Sequence, residues 1–213
     1  MRYITFNVKF DPKSWSRWSE TIGIDNRCQN FLLLYSSELM NHKHGHSKVN
    51  ARNYTMFSNI ISGIEDWNKP ENLALILQIA SGCFLEDNDV VGSLFTQFIA
   101  NKLDHLITPD DLVLGDWDSV KRKLKKQLYD EDQYRADIAS VITTRFINFS
   151  LKWLENKKDI SVIISRILEI IECDTILLSE DLLFSLVKTI TINYPRQSSK
   201  LVLNPKIASK LTK

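Results

Sequence analysis

Between Asn88 and Ile107 the apolar residues return every three or four positions: Val90, Val91, Leu94, Phe95, Phe98, Ile99, Leu103 and Leu106. That spacing puts them on one face of a helix, and the same period recurs along most of the chain. Cys28, Phe31, Leu32, Tyr35 and Leu39 form one such stripe, Tyr54, Phe57, Ile60 and Ile61 another, and Leu73, Ile76, Leu77 and Ala80 a third. A chain whose stripes are nearly all helical has to bury helix against helix. The exception is the opening, where Ile4, Phe6, Val8 and Phe10 alternate with Tyr3, Thr5, Asn7 and Lys9, the period of a half-buried strand. The predicted fold is therefore mainly α, a helical bundle of about nine helices with one N-terminal β-strand that lacks an evident partner.

An unpaired strand leaves main-chain N–H and C=O groups open on both edges. Three arrangements satisfy them: pairing in another chain, pairing with a sheet encoded upstream, or an extended path over the helices. The strand gives way at Asp11-Pro12, where Asp suits an N-cap and Pro the first helical position. Asp25, Asn50 and Pro70 read as further helix starts, and Thr108-Pro109-Asp110-Asp111 as a start with an acidic first turn. Gly115-Asp116 reads as a break. The expected organisation is a terminal strand over 1–10, a helical domain over 11–114 and a second helical domain over 115–193. A basic tail over 194–213 follows, carrying five Lys or Arg and no Asp or Glu. In the second domain helices are predicted from Trp117 to Leu128, Gln133 to Leu154, Ile160 to Ile171 and Glu180 to Ile192.

The 213 residues bury enough surface to fold without a metal or disulfide, and a formal net charge of +1 leaves polyanion attraction to local patches. Cys28, Cys83 and Cys173 are odd in number, far apart and outside any CxxC spacing, as expected of reduced thiols in a cytoplasmic protein. The opening alternates where a signal peptide would be uniformly apolar, and no run is long enough to span a membrane.

The six glycines are isolated, and neither GxxxxGK nor GxGxxG occurs, so this chain by itself offers no phosphate loop. No Ser or Cys is paired in sequence with a base, so no catalytic residue is assigned. Glu65-Asp66 and Glu86-Asp87-Asp89 sit where carboxylates cap helices, and Ile167 to Asp174 reads as a buried helix reaching its end. His42, His44 and His46 surround Gly45; they are either weak candidates for a transition-metal site or members of a solvated loop. His105, beside Asp104, reads as a surface residue. Lys121, Arg122, Lys123, Lys125 and Lys126 form the run KRKLKK, which either contacts nucleic-acid phosphates or forms a solvated face balanced by Asp110, Asp111, Asp116 and Asp118. Arg52 follows Asn50-Ala51 in the first turn of a helix. A cation there opposes the positive helix end, yet the same end attracts anions. Arg52 therefore suits a phosphate, or else pairs with a nearby carboxylate.

The order of these features resembles a known family. MRYITFNVKFDPKSWSRWSETIGID is similar to the stretch that leaves the ATPase core in MoxR-like AAA+ ATPases, especially phage-type members. There a last core strand is followed by an acidic residue, often Pro, and a W-x-x-W-like helix. VNARNYTMFSNIISGIED resembles their sensor-2 helix, which commonly begins Ser-Pro-Arg; here Asn50, Ala51 and Arg52 stand in those places. FTQFIANKLDHLITPDDLV resembles the helix and turn that follow. The resemblance covers about residues 1–113 and implies a helical lid whose Arg52 reaches the phosphates of ATP. It implies that ATP and Mg²⁺ bind the complete protein and not this chain alone. It also implies as partners an ATPase core, neighbouring subunits and a client protein. On that reading the chain is a non-catalytic, nucleotide-sensing region, and residues beyond Gly115 mediate interactions. The alternative is a stand-alone helical adaptor or replication accessory protein that binds protein or DNA.

Overall fold

The structure, a computed structural model, describes residues 10–40, 49–156, 159–205 and 207. The predicted strand lies outside the described residues except for Phe10, and so do His42, His44 and His46. The fold is mainly α. Two compact units divide at Asp104 and His105.

The first unit holds α1 (Pro12–Ile22), α2 (Asn26–Leu34), α3 (Ser36–Met40), α4 (Ala51–Ile61), α5 (Pro70–Phe84) and α6 (Asn88–Ala100). Its starts are those the sequence marks except at α3: the single stripe expected from Cys28 to Leu39 is interrupted at Tyr35, where α2 ends and α3 begins. Asp11 accepts hydrogen bonds from the Lys13 and Ser14 main-chain N–H groups at 3.2 Å, and Asp25 accepts from Arg27 N–H at 2.8 Å. α1 ends at Gly23, whose φ of 77° is the left-handed cap that glycine adopts without a steric penalty. The core is aromatic. Phe31, Phe57, Phe95 and Phe98 are fully buried, and Trp67 joins them from the loop before α5. Arg27 holds that loop: it donates to the Ile64 and Glu65 carbonyls at 3.0 and 2.7 Å and lies 3.9 Å over the Trp67 ring. Cys28 is buried among these elements with its thiol directed at the Ser58 carbonyl, while Cys83 and Cys173 are partly exposed; all three are free.

α6 stops at Ala100, short of the predicted Ile107. Asn101 caps it, and Lys102 takes a φ of 55°, which no helix continues through. The inward spacing of Leu103 and Leu106 survives the break, which is why the period alone extends the helix too far.

The second unit holds α7 (Pro109–Leu114), α8 (Trp117–Leu128), β1 (Tyr129–Asp130), β2 (Gln133–Tyr134), α9 (Ala136–Glu155), α10 (Ser161–Glu172), α11 (Glu180–Asn193) and α12 (Ser199–Val202). α9 is its axis, with α7, α8 and α11 packed on it and α10 on α7. The break at Gly115 is therefore a corner inside this unit and not the boundary between units. Arg166 fastens the corner, donating to the Val113 and Gly115 carbonyls beside the Trp117 ring. β1 and β2 pair antiparallel, Tyr129 with Tyr134 and Asp130 with Gln133. The sequence pattern assigns Gln133–Tyr134 to the start of the long helix instead, because two-residue strands show no alternation and the turn Glu131-Asp132 contains no glycine.

Candidate functional site

In the first unit a groove of about 670 Å³ opens where α1 and α4 begin. Phe10, Trp15, Trp18 and Ala51 give it a mostly apolar lining, to which Asp11 and Arg52 bring one carboxylate and one guanidinium. Residues about forty positions apart meet here because Trp15 is anchored. Its indole N–H donates to Thr55 Oγ1 at 2.9 Å, and its ring stands edge-on to Tyr54 at 4.9 Å. Tyr54 is itself fixed, its hydroxyl donating to the Cys28 carbonyl at 2.7 Å, and burial pushes its pKa well above the ordinary value. Trp15 is thus buried, whereas Trp18, with its ring 6.1 Å away, stays 44% exposed and presents an aromatic surface to solvent.

The polar groups have distinct duties. Asp11 caps α1, and the Ser14 hydroxyl that donates to it holds its carboxyl below the usual value. Asn50 and Asn53 form a reciprocal cap: Asn50 Oδ1 accepts from the Arg52 and Asn53 main-chain N–H groups at 3.0 and 3.1 Å, and Asn53 Oδ1 accepts from Asn50 N–H at 2.8 Å. These first-turn donors of α4 are therefore engaged. An anion at this place would be held by the Arg52 guanidinium and not by a cradle of main-chain N–H groups. Arg52 is exposed, and among the described residues no carboxylate pairs with it. An exposed guanidinium in the first turn, lining the same groove as an open indole, is suited chemically to a ligand with a flat ring and an anionic group.

None of the other sequence candidates among the described residues lines this groove. Lys121, Arg122, Lys123, Lys125 and Lys126 lie on α8 in the second unit. The exposed His105 accepts at its main-chain carbonyl from Gln127 Nε2, at 2.8 Å. Asp66 accepts from Asn68 N–H at 3.0 Å, a turn-forming duty. Among the described residues no group of three or more His, Cys, Asp or Glu side chains could hold a metal ion, and no helix is long and apolar enough to cross a membrane. Of the residues that line the groove, the sequence singles out Arg52 for a ligand; it does not mark Phe10, Ser14, Trp18 or Thr55 as groove residues. Thr55 gives no signal of its own, because its duty exists only once Trp15 arrives. No family model, curated protein or solved structure matches this chain.

Proposed function

We propose that the first unit is the helical lid of a nucleotide-driven motor of the MoxR-like AAA+ kind, with Arg52 contacting nucleotide phosphate. The observation that carries the reading is one groove shared by three features far apart in sequence. These are Phe10 at the end of the alternating segment, the tryptophans of α1, and Arg52 in the first turn of α4. In the lid that the sequence resembles, the alternating segment is the last strand of the motor core, the tryptophan helix follows it, and the arginine reaches the phosphates of the nucleotide. Trp18 offers a surface for a base, and Arg52 a cation for a phosphate. The unit acts without chemistry of its own, passing nucleotide state to neighbouring subunits or a client through lid closure.

The test is ATP turnover by the assembled motor carrying Arg52→Ala. A charged hydrogen bond contributes about 1.5–3 kcal/mol, so turnover is expected to fall by about tenfold or more. The melting of the isolated chain should not change, because Arg52 is exposed. Unchanged turnover removes the assignment. The reading also expects an open frame upstream of the Met1 codon, or a companion gene, that encodes a glycine-rich phosphate loop. A second reading, a stand-alone helical adaptor or replication accessory protein that binds protein or DNA, is favoured by the cations of α8.

A further inference from the structure

The charges of α8 are sorted by face. Val120, Leu124 and Leu128 are buried at four-residue spacing and form the seam that packs inward. At about 100° per residue, Lys121, Lys125, Arg122 and Lys126 fall on one continuous arc of about 140° on the other side. Arg122 and Lys126 are exposed, and Lys121 and Lys125 are partly so.

Two of the nearby carboxylates have duties off the arc. Asp116 caps α8 by accepting from Ser119 N–H at 3.1 Å. Asp111 pairs with Lys123 at 3.4 Å, off the arc. Asp118 is the one acid on the arc, in the first turn, where it suits the helix dipole. Among the described residues no carboxylate pairs with Lys121, Arg122, Lys125 or Lys126.

The dipole accounts for Lys125 and Lys126 in the last turn, but Lys121 and Arg122 stand in the middle of the helix, beyond the reach of either end. Solubility does not require such sorting, since a chain of net charge +1 could intersperse its signs. The sequence after Pro195 adds Arg196, Lys200, Lys206, Lys210 and Lys213 with no acid among them.

We propose that this arc of α8 binds the phosphodiester backbone of duplex nucleic acid. A row of cations of one sign fits a polyanion of uniform charge, and its gain is the release of condensed counterions. No aromatic side chain lies on the arc, so there is no platform on which unpaired bases could stack. That favours a duplex bound without sequence preference over a single strand. The binding is independent of the nucleotide reading of Arg52.

The experiment is fluorescence anisotropy of a labelled 20-base-pair DNA duplex titrated with the full chain between about 50 and 200 mM salt. The slope of log affinity against log salt is expected to be shallower by about 3–4 in the variant Lys121→Gln/Arg122→Gln/Lys125→Gln/Lys126→Gln, at about 0.9 for each phosphate left without its cation. Affinity at the lowest salt should fall at least tenfold. Arg122→Gln alone is expected to lower the slope by about 1, while Lys123→Gln, which removes the Asp111-paired cation, should change affinity less than twofold. Absence of binding at the lowest salt overturns the proposal, and so does a fourfold variant that binds like the parent. Equal competition by a polyglutamate peptide of matched charge also overturns it, because the face would then be one for acidic proteins.

Discussion

Phe95→Ala is expected to destabilise the first unit by about 3–5 kcal/mol, the usual cost of removing a buried aromatic ring. Phe95 is fully buried on α6, and its ring centre lies 5.1 Å from that of Phe31, 6.0 Å from Phe57, 5.4 Å from Trp67 and 5.9 Å from Phe98. Those neighbours come from α2, α4, the loop before α5 and α6 itself. One truncation therefore opens a space that no single helix can close by shifting. Edge and tilted ring pairs of this kind add about 0.5–1.5 kcal/mol each beyond area burial. Urea unfolding followed by near-ultraviolet circular dichroism measures the loss; a change below about 1 kcal/mol would show that the cluster does not carry the unit.

Gly115→Ala should cost about 3 kcal/mol in the second unit, at the upper end for overpacking, although it adds a single methyl group. The Gly115 N–H donates to the Asp111 carbonyl at 2.9 Å and ends α7. A Cβ at Gly115 would collide with that same carbonyl oxygen and press on Val120 Cγ2 at 3.0 Å. The oxygen belongs to main chain and cannot swing aside as a side-chain tip would. Relief requires α7 and α8 to part, which draws the Gly115 carbonyl away from Arg166. Arg166 is 6% exposed, and a buried cation that loses an acceptor is costly. Thermal unfolding of the purified variant, compared with Ser119→Ala at an exposed position of α8, gives the measurement. Equal midpoints for the two would contradict the argument.

Local signals bring much of the fold into view. α8 runs over Trp117–Leu128 as its apolar spacing and the Asp116 cap predict, and α10 and α11 lie within a residue or two of their expected bounds. Thr108 accepts from Asp111 N–H at 3.1 Å, the cap its sequence implies. What is not legible depends on contacts remote in sequence. Six-residue α7 has no local feature that assigns it to α9 and α10, so the sequence places the boundary at Gly115 and not at Asp104–His105. The hairpin at Tyr129–Tyr134 is held partly from afar, by Tyr129 Oη donating to the Ile176 carbonyl at 2.7 Å. In the groove, Arg52 stands out because its charge opposes the helix end. Its neighbours Phe10 and Thr55 do not, because only the docking of α1 on α4 brings them there.

Cys28 gives the first unit a built-in chemical reporter. Burial, reinforced by the nearby Asp25 charge, pushes its thiol far up, away from the reactive anion. Pulsed alkylation should therefore mark Cys83 and Cys173 early and Cys28 only in molecules whose aromatic core has opened. The fraction of singly protected chains then reads the opening equilibrium of that core directly, without a fluorophore or an engineered label.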